Sequence, residues 1–409
     1  MKFFVFIFLV LFSAEAYTQS VSYSAASSTP PWWLSLEYGK QRFRSGDYGS
    51  ALMLFEDARR DRRLMYEQME RDLISLLSLS DVRRIGDSLE RVEQYSRDRL
   101  YRAASAALEE LYYRVPKSSL NNSASAALAA VGKLKDYPEA EYWIGEVYRI
   151  EGELTLALSQ YRRAYAMRDN LEDPGFTITL QYKISDIHRT RQEYREMINV
   201  LDSIVIGENT LWANAIAAQT GTFTDGRGNT VSAPYEQASA SFARTAMTRT
   251  LENEGINRFL ELYRYNNSTV EQAHRMLGLH YALTGSSSAQ EHLMFAFLIQ
   301  NTIIIEELMR RQFDFRFTTL VDYRENHVRN LAELYNAINQ NALLLSYIDE
   351  VEYFKTAYYL AASLFRNNRP VAARQLWEFL ASVPQAGEWH SRSVSQLRSP
   401  RLEQIVLMP

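Results

Sequence analysis

Six histidines and 49 carboxylates are the side chains with which this 409-residue chain could do acid–base or metal chemistry. The histidines are His188, His274, His280, His292, His327 and His390. None belongs to an HExxH pair, and His280 follows His274 by six positions, which sends them to different faces of a helix. They read as helix-surface or turn residues, and no metal is expected. The strings GxSxG, GxxxxGK[ST] and GxGxxG are absent, so the cues for α/β-hydrolase, P-loop and Rossmann chemistry are missing. No cofactor is expected. A carboxylate pair suited to glycoside hydrolysis assembles in three dimensions and leaves no spacing in sequence.

Asp225-Gly226-Arg227-Gly228-Asn229 has the outline of a calcium loop, but Arg227 puts a cation where a ligand belongs and no distal Glu follows. Thr222-Phe223-Thr224 and Thr230-Val231-Ser232 flank it, so the segment reads instead as a turn between two short β-prone runs. The densest basic clusters, Arg59-Arg60-Asp61-Arg62-Arg63 and Arg310-Arg311, have Glu67, Glu70, Glu306 and Glu307 at helical spacing, as expected of salt-bridged solvated faces. Asn121-Asn122-Ser123 and Asn266-Asn267-Ser268-Thr269 contain glycosylation-like sequons. The second is expected to cap a helix that begins near Thr269.

The elements that must position these groups follow from composition. Lys and Arg number 45, for a net charge of −4, which offers no basic field for nucleic acid. There is no cysteine, which removes disulfides, thiolate metal sites and acylation at a Cys. Gly and Pro together are 26 of 409 (16 and 10), too few for a turn-dense β protein, so a mostly helical chain is expected.

Met1-Lys2, the apolar run Phe3 to Phe12, and Ala14 and Ala16 fit a signal peptide over 1–16, cleaved before Tyr17. Residues 17–31 read as a Ser/Ala/Thr-rich tether. No later segment offers about twenty consecutive apolar residues, so a soluble exported protein with no membrane span after cleavage is expected, periplasmic or secreted. Helical repeats are assigned to 32–206, which contains an apolar stripe from Leu100 to Leu111, and to 235–382, where helices are expected over Ala238 to Leu262, Thr269 to Leu283, Ala289 to Phe313, Asn326 to Leu345 and Asp349 to Arg366. A protruding loop or hairpin is assigned to 207–234, and a cap or tail ending in the apolar run Ile405 to Met408 to 383–409.

The repeats decide the fold class. Leu36, Gly39, Phe43, Gly46-Asp47-Tyr48, Ala51, Phe55 and Ala58 describe two amphipathic helices joined by a Gly-Asp turn. The register returns as Tyr142, Gly145, Tyr148, Gly152, Leu154, Ala157, Tyr161 and Ala164. Looser copies are Ser185 to Ile204, Leu360 to Leu380, and Leu277-Gly278, Tyr281, Gly285, Ala289, Leu293, Ala296, the last short by one turn residue. From Gly145 to Ser185 the step is 40 residues. These stretches resemble the tetratricopeptide repeat (TPR), a helix–turn–helix unit of roughly 34 residues. The resemblance implies an all-α, TPR-like α-solenoid, here degenerate and interrupted, with a small β-hairpin-like insertion.

In that family the second, fifth, ninth, twelfth and thirteenth positions of the first helix line a concave groove. Counted residue by residue, the resemblance implies Lys40 and Arg44 from the first copy, Tyr142, Glu146 and Arg149 from the second, Tyr182, Asp186 and Arg189 from the third, and Tyr358 and Arg366 from the last. A recurring Tyr, acid and Arg suits an extended peptide or polar polymer. The expected function is an exported, non-enzymatic scaffold that binds protein or peptide partners in the bacterial cell envelope. The alternatives are the helical platform of a cell-wall enzyme, as in the solenoid of lytic transglycosylases, or a small-molecule or lipid carrier. Oligomeric state is not legible.

Overall fold

The computed structural model describes residues 31–77, 132–206, 223–224, 230–231, 240–312, 314–319 and 327–403. The leader, most of the tether, the Asn121 sequon, the Leu100 to Leu111 apolar stripe and the terminal Ile405 to Met408 run lie outside them. The chain is mostly helical, with two short two-stranded pairings. It divides into two compact units, Met1–Thr177 and Ile178–Pro409.

The described part of the first unit begins with α1 (Trp32–Arg44) and α2 (Tyr48–Leu77), then α3 (Pro138–Ile150) and α4 (Leu154–Ala166), and ends inside α5 (Phe176–Thr190). Its core holds Leu36, Phe55, Tyr137, Ile144 and Val147, with Trp143 packed against it. The Phe55 and Trp143 rings stack at 5.8 Å. The lengthened step between Gly145 and Ser185 is a 3₁₀ turn, Arg168–Asn170, tied back to α3 and the turn before it. Asn170 donates to Asp136 at 3.2 Å, and the Glu172 amide donates to Glu139 at 2.9 Å.

The second unit continues α5 and contains α6 (Tyr194–Ile206), β1 (Phe223–Thr224), β2 (Thr230–Val231), α7 (Ala240–Asn253), α8 (Ile256–Leu262), α9 (Ser268–Thr284) and α10 (Ala289–Arg311). It is completed by β3 (Arg316–Phe317), β4 (His327–Val328), α11 (Leu331–Ile338), α12 (Ala342–Glu350), α13 (Tyr353–Arg366), α14 (Pro370–Ala381) and α15 (Glu388–Arg398). β1 and β2 pair antiparallel, Phe223 with Val231 and Thr224 with Thr230; β3 and β4 pair parallel.

Three boundaries correct the sequence reading. The single helix expected over Ala238 to Leu262 breaks at Gly255, whose φ of 86° no helical residue adopts. The one expected over Asn326 to Leu345 divides, because the Asn330 and Asn341 side chains each accept an amide from the turn that follows and start a helix there. The last helix of the series starts at Tyr353, not Asp349. Asn267 does cap the helix at Thr269, at 3.1 Å.

One helix stands out by its apolar length. α10 is 23 residues long and apolar enough by length and composition to cross a membrane, with a mean hydropathy of 1.3 over its most apolar window. Gln300, Asn301 and Thr302 interrupt the run in sequence but do not lower the average enough. Of that window 72% is buried inside the protein. All three polar residues are buried and bonded: Gln300 to Glu271 at 2.7 Å, Asn301 to the Phe297 carbonyl at 2.8 Å, and Thr302 to the Leu298 carbonyl at 2.8 Å. A core helix whose polar side chains each hold a hydrogen bond fits this arrangement, where of their polar atoms only Oε1 of Gln300 is left without a partner among the described residues.

Five helix–turn–helix connections share one geometry. The residue that ends each first helix is left-handed: Gly46, Gly152, Gln192, Gly285 and Asn368, with φ between 60° and 83°. The next amide bonds to a carbonyl five residues back, as Asp47 to Arg42, Glu153 to Tyr148, Glu193 to His188, Ser286 to Tyr281 and Arg369 to Leu364, at 2.8–3.0 Å. This is the Schellman arrangement. Seven positions before each left-handed residue stands a small one: Gly39, Gly145, Ser185, Gly278 or Ala361. A Cβ on Gly39 would fall 2.5 Å from the Phe55 ring, one on Gly145 2.8 Å from Tyr161, and one on Gly278 2.6 Å from Leu293. The small residue lets the large side chain of the second helix sit on the first helix's backbone. Gly152→Ala places a Cβ in the left-handed region and is expected to cost about 1 kcal/mol. Urea unfolding checks this, and an unchanged midpoint would refute the shared turn geometry at that site.

Candidate functional site

Within the 178–409 unit, α5, α6, α9 and the start of α13 frame a cavity of about 550 Å3. Helical periodicity on α9 brings Gln272, Arg275, Met276, Leu279 and Leu283 to it. α5 supplies Asp186 and Arg189, α6 supplies Tyr194 and Met197, and Glu352 and Lys355 come from the start of α13. The Met and Leu residues give an apolar, adaptable floor. The charged residues sit around it.

The charges form a chain of ion pairs running from core to cavity. Gln300 on α10 donates to the buried Glu271 at 2.7 Å, and Glu271 accepts from Arg275 at 3.0 Å. Arg275 also reaches Glu352 at 2.7 Å, and Glu352 accepts from Lys355 at 2.7 Å. Burial pushes the Glu271 carboxyl above the usual range, with Arg275 and Gln300 opposing it. At Glu352 burial pushes upward too, but the bonds and charges of Lys355 and Arg275 hold the carboxyl below its usual value. Glu352 has φ 47°, a left-handed conformation that L residues with a Cβ seldom adopt. Its neighbours hold it there.

His280 also lines the cavity. Its ring lies 5.1 Å from that of Tyr194, and burial lowers its pKa, which keeps the imidazole neutral at pH 7. Nδ1 of His280 is buried and has no hydrogen-bond partner among the described residues. On the far side of α9, His274 and His292 meet, Nδ1 to Nδ1, at 3.1 Å, so one ring donates and the other accepts. The described residues contain no group of three His, Cys, Asp or Glu arranged to hold a metal.

Of the ten residues implied by the groove register, Asp186 and Arg189 line this cavity, paired at 3.2 Å. Tyr182 does not: its hydroxyl donates to the Thr269 carbonyl at 2.6 Å and accepts from the Ala273 amide at 3.1 Å, which fastens α5 to the start of α9. In the other unit Tyr142 and Glu146 are buried instead of lining an open groove. Tyr142 packs against Trp143, Tyr161 and Phe176, while Glu146 accepts from the Tyr161 hydroxyl at 2.5 Å and from Arg149 at 2.9 Å. Lys40 pairs with Glu37 at 2.8 Å, and Arg44 is exposed at the end of α1.

Tyr358 and Arg366 hold the chain's own C-terminal segment. The Tyr358 hydroxyl donates to the Glu403 carboxylate and Arg366 donates to the Glu403 carbonyl at 3.0 Å. Burial first, and then the bond to Glu403, push Tyr358 up to about 12. Arg392 completes the latch, 2.7 Å from Glu403 and 4.5 Å above the Tyr358 ring.

The residues missed were within reach of the same register. Taking Gly278 as the eighth position, the second, fifth, ninth and thirteenth are Gln272, Arg275, Leu279 and Leu283, and all four line the cavity. Taking Ala361 as the eighth, Lys355 is the second.

No protein-family model matches the chain. An uncharacterized protein of Treponema pallidum (strain Nichols) is 23% identical over 392 residues, which cover 95% of this chain and 94% of that one. An uncharacterized protein of Borreliella burgdorferi (strain ATCC 35210 / DSM 4680 / CIP 102532 / B31) is 20% identical over 290 residues, 69% of this chain and 84% of its own length. The chain is thus similar, over most of its length, to proteins of two bacteria whose names carry no activity.

Proposed function

We propose that this chain is an exported, non-enzymatic helical-repeat protein of TPR-like solenoid type that holds an extended segment of a protein partner in the bacterial cell envelope. The observation that carries the reading is the cavity of about 550 Å3 in the 178–409 unit, where groove-register residues of three helices converge. Its Met197, Met276, Leu279 and Leu283 side chains suit one apolar side chain of a partner. The Arg189, Arg275 and Lys355 cations around that floor suit a neighbouring carboxylate. The five shared turns support the repeat assignment, and the Met1 to Ala16 pattern supports export.

The test is a titration of short fluorescent peptides, each with an apolar residue next to a Glu, against the purified protein. Arg189 is exposed at the rim, so Arg189→Glu is expected to leave the fold intact and weaken binding about fivefold or more, as reversal of one rim charge does. Failure of every such peptide to bind saturably would overturn the proposal.

A further inference from the structure

The cavity at α5, α6, α9 and α13 does not end at Glu352 and Lys355. These two residues are also the near wall of a second cavity, of about 430 Å3, between the end of α12, the start of α13 and α15. The two cavities therefore share a wall made of one ion pair, Lys355 to Glu352 at 2.7 Å. Their charges are opposite. The first carries Arg189, Arg275 and Lys355 against Asp186 and Glu352, three cations to two carboxylates. The second carries Asp349, Glu352 and Glu388 against Lys355 alone, three carboxylates to one cation, with Phe354 and Trp389 beside them.

In the second cavity Asp349 and Glu388 are exposed, and neither has an ion pair among the described residues. Two unpaired carboxylates beside aromatic rings favour a cationic side chain, through charge attraction and contact with the ring faces. In the first cavity every cation already has a carboxylate partner, Arg275 having both Glu352 and the buried Glu271, so what remains is the exposed Arg189 at the rim, the apolar floor and the unpartnered Nδ1 of the buried His280. That combination favours an apolar side chain followed by an acceptor group.

Resting on the peptide-binding reading above, we infer that the two cavities form one track that takes a peptide segment of fixed charge order. An apolar and acidic pair occupies the first cavity, and a Lys or Arg of the same segment occupies the second. Glu352 stands at the junction. Its carboxylate is held by Arg275 and Lys355, and its left-handed backbone places it between the end of α12 and the first turn of α13. The charge order of the walls, not any single pair, is the source of selectivity, because a segment of one sign throughout meets repulsion in one cavity or the other.

The experiment uses the full purified chain and three fluorescein-labelled 12-residue peptides, read by anisotropy. The first has Leu and Glu in one half and Lys in the other, the second replaces the Lys with Glu, and the third replaces the Lys with Ser. The mixed peptide is expected to bind about fivefold tighter than the Ser peptide, the upper range for one exposed charge pair, and tighter still than the all-acidic one. Glu388→Gln and, on a different element, Asp349→Asn should each weaken the mixed peptide more than the Ser peptide, narrowing the gap between them. Thermal melts of both variants confirm folding. Equal binding of all three peptides to the unaltered protein, with Arg189→Glu still weakening each, would overturn the charge-ordered track and leave the peptide site standing. Absence of saturable binding by any peptide would overturn both.

Discussion

Trp377→Ala is expected to destabilise the 178–409 unit by about 3–5 kcal/mol, the range for removing a buried Trp or Phe from a core. Trp377 is 2% exposed and heads the fully buried side chains by volume. It stands sixteen positions after Ala361, as Phe55 stands after Gly39 and Tyr161 after Gly145, so it is the large residue of its hairpin's small–large contact. Its ring also meets that of Phe365 at 5.6 Å across α13 and α14. Truncation leaves a void between two helices that also carry α15, which the neighbouring rings cannot close without leaving their rotamers. Because the buried indole N–H has no partner among the described residues, Trp377→Phe should cost much less than the alanine change, since it trades lost area for removal of an unsatisfied donor. Urea unfolding gives the two values, and hydrogen exchange should place the lost protection on α13 and α14. A loss below about 1 kcal/mol for the alanine variant would show that the contact is not part of the core's close packing.

The repeat register made this contact legible before any coordinates. A small residue, a turn seven positions on and a large residue sixteen positions on are sequence distances, and α-helical geometry converts them directly into a contact between neighbouring helices. The turn itself was half hidden. Gly46, Gly152 and Gly285 announce a left-handed residue and Asn368 tolerates one, but Gln192 adopts the same φ with nothing in its type to favour it, because the 6→1 hydrogen bond and the packed helices hold it there. The helix breaks at Gly255 and Asn339 to Asn341 were missed for a related reason. Hydrophobic periodicity runs on through them, and only the caps decide where one helix stops.

The groove-register residues line a cavity where a first helix faces one and are covered where it faces protein. Asp186 and Arg189 line the cavity because α5 turns that face toward α9. Glu146 occupies the corresponding place on α3, yet Tyr161 and Phe176 lie close enough to cover its surroundings, and a groove acid becomes a buried one. Tyr358 and Arg366 were diverted by the chain's own C-terminal segment, since Glu403 satisfies both. Position in a repeat fixes the direction of a side chain; what meets it there depends on residues far away in sequence. The partners of Glu352 illustrate the limit, because Arg275 lies 77 residues distant.

Arg275→Met is the second large effect expected, at about 3 kcal/mol near pH 7, because removing one partner of a buried pair strands the other's charge. The methionine keeps the stem's packing and removes only the guanidinium. Glu271, 4% exposed, then retains Gln300 as a partner but no cation. In the unaltered protein burial already raises the Glu271 carboxyl above its unfolded value of about 4.3. A group raised on folding stabilises the fold while protonated and loses that contribution as pH rises through its folded value. Without Arg275 the carboxyl rises further, so the gap between variant and unaltered protein should be small below about pH 4 and widen steadily as pH rises above it. The double change Glu271→Gln with Arg275→Met removes the stranded charge and should recover most of the loss at pH 7, flattening the pH dependence. Stability must be measured without peptide, because Arg275 also faces the cavity and its loss would weaken any ligand that adds to stability by mass action. Guanidinium unfolding at pH 4 and pH 7 separates the possibilities. An equal loss at both would mean that Arg275 does not act by offsetting the charge of Glu271, and the stranded-carboxylate account of the loss would then be wrong.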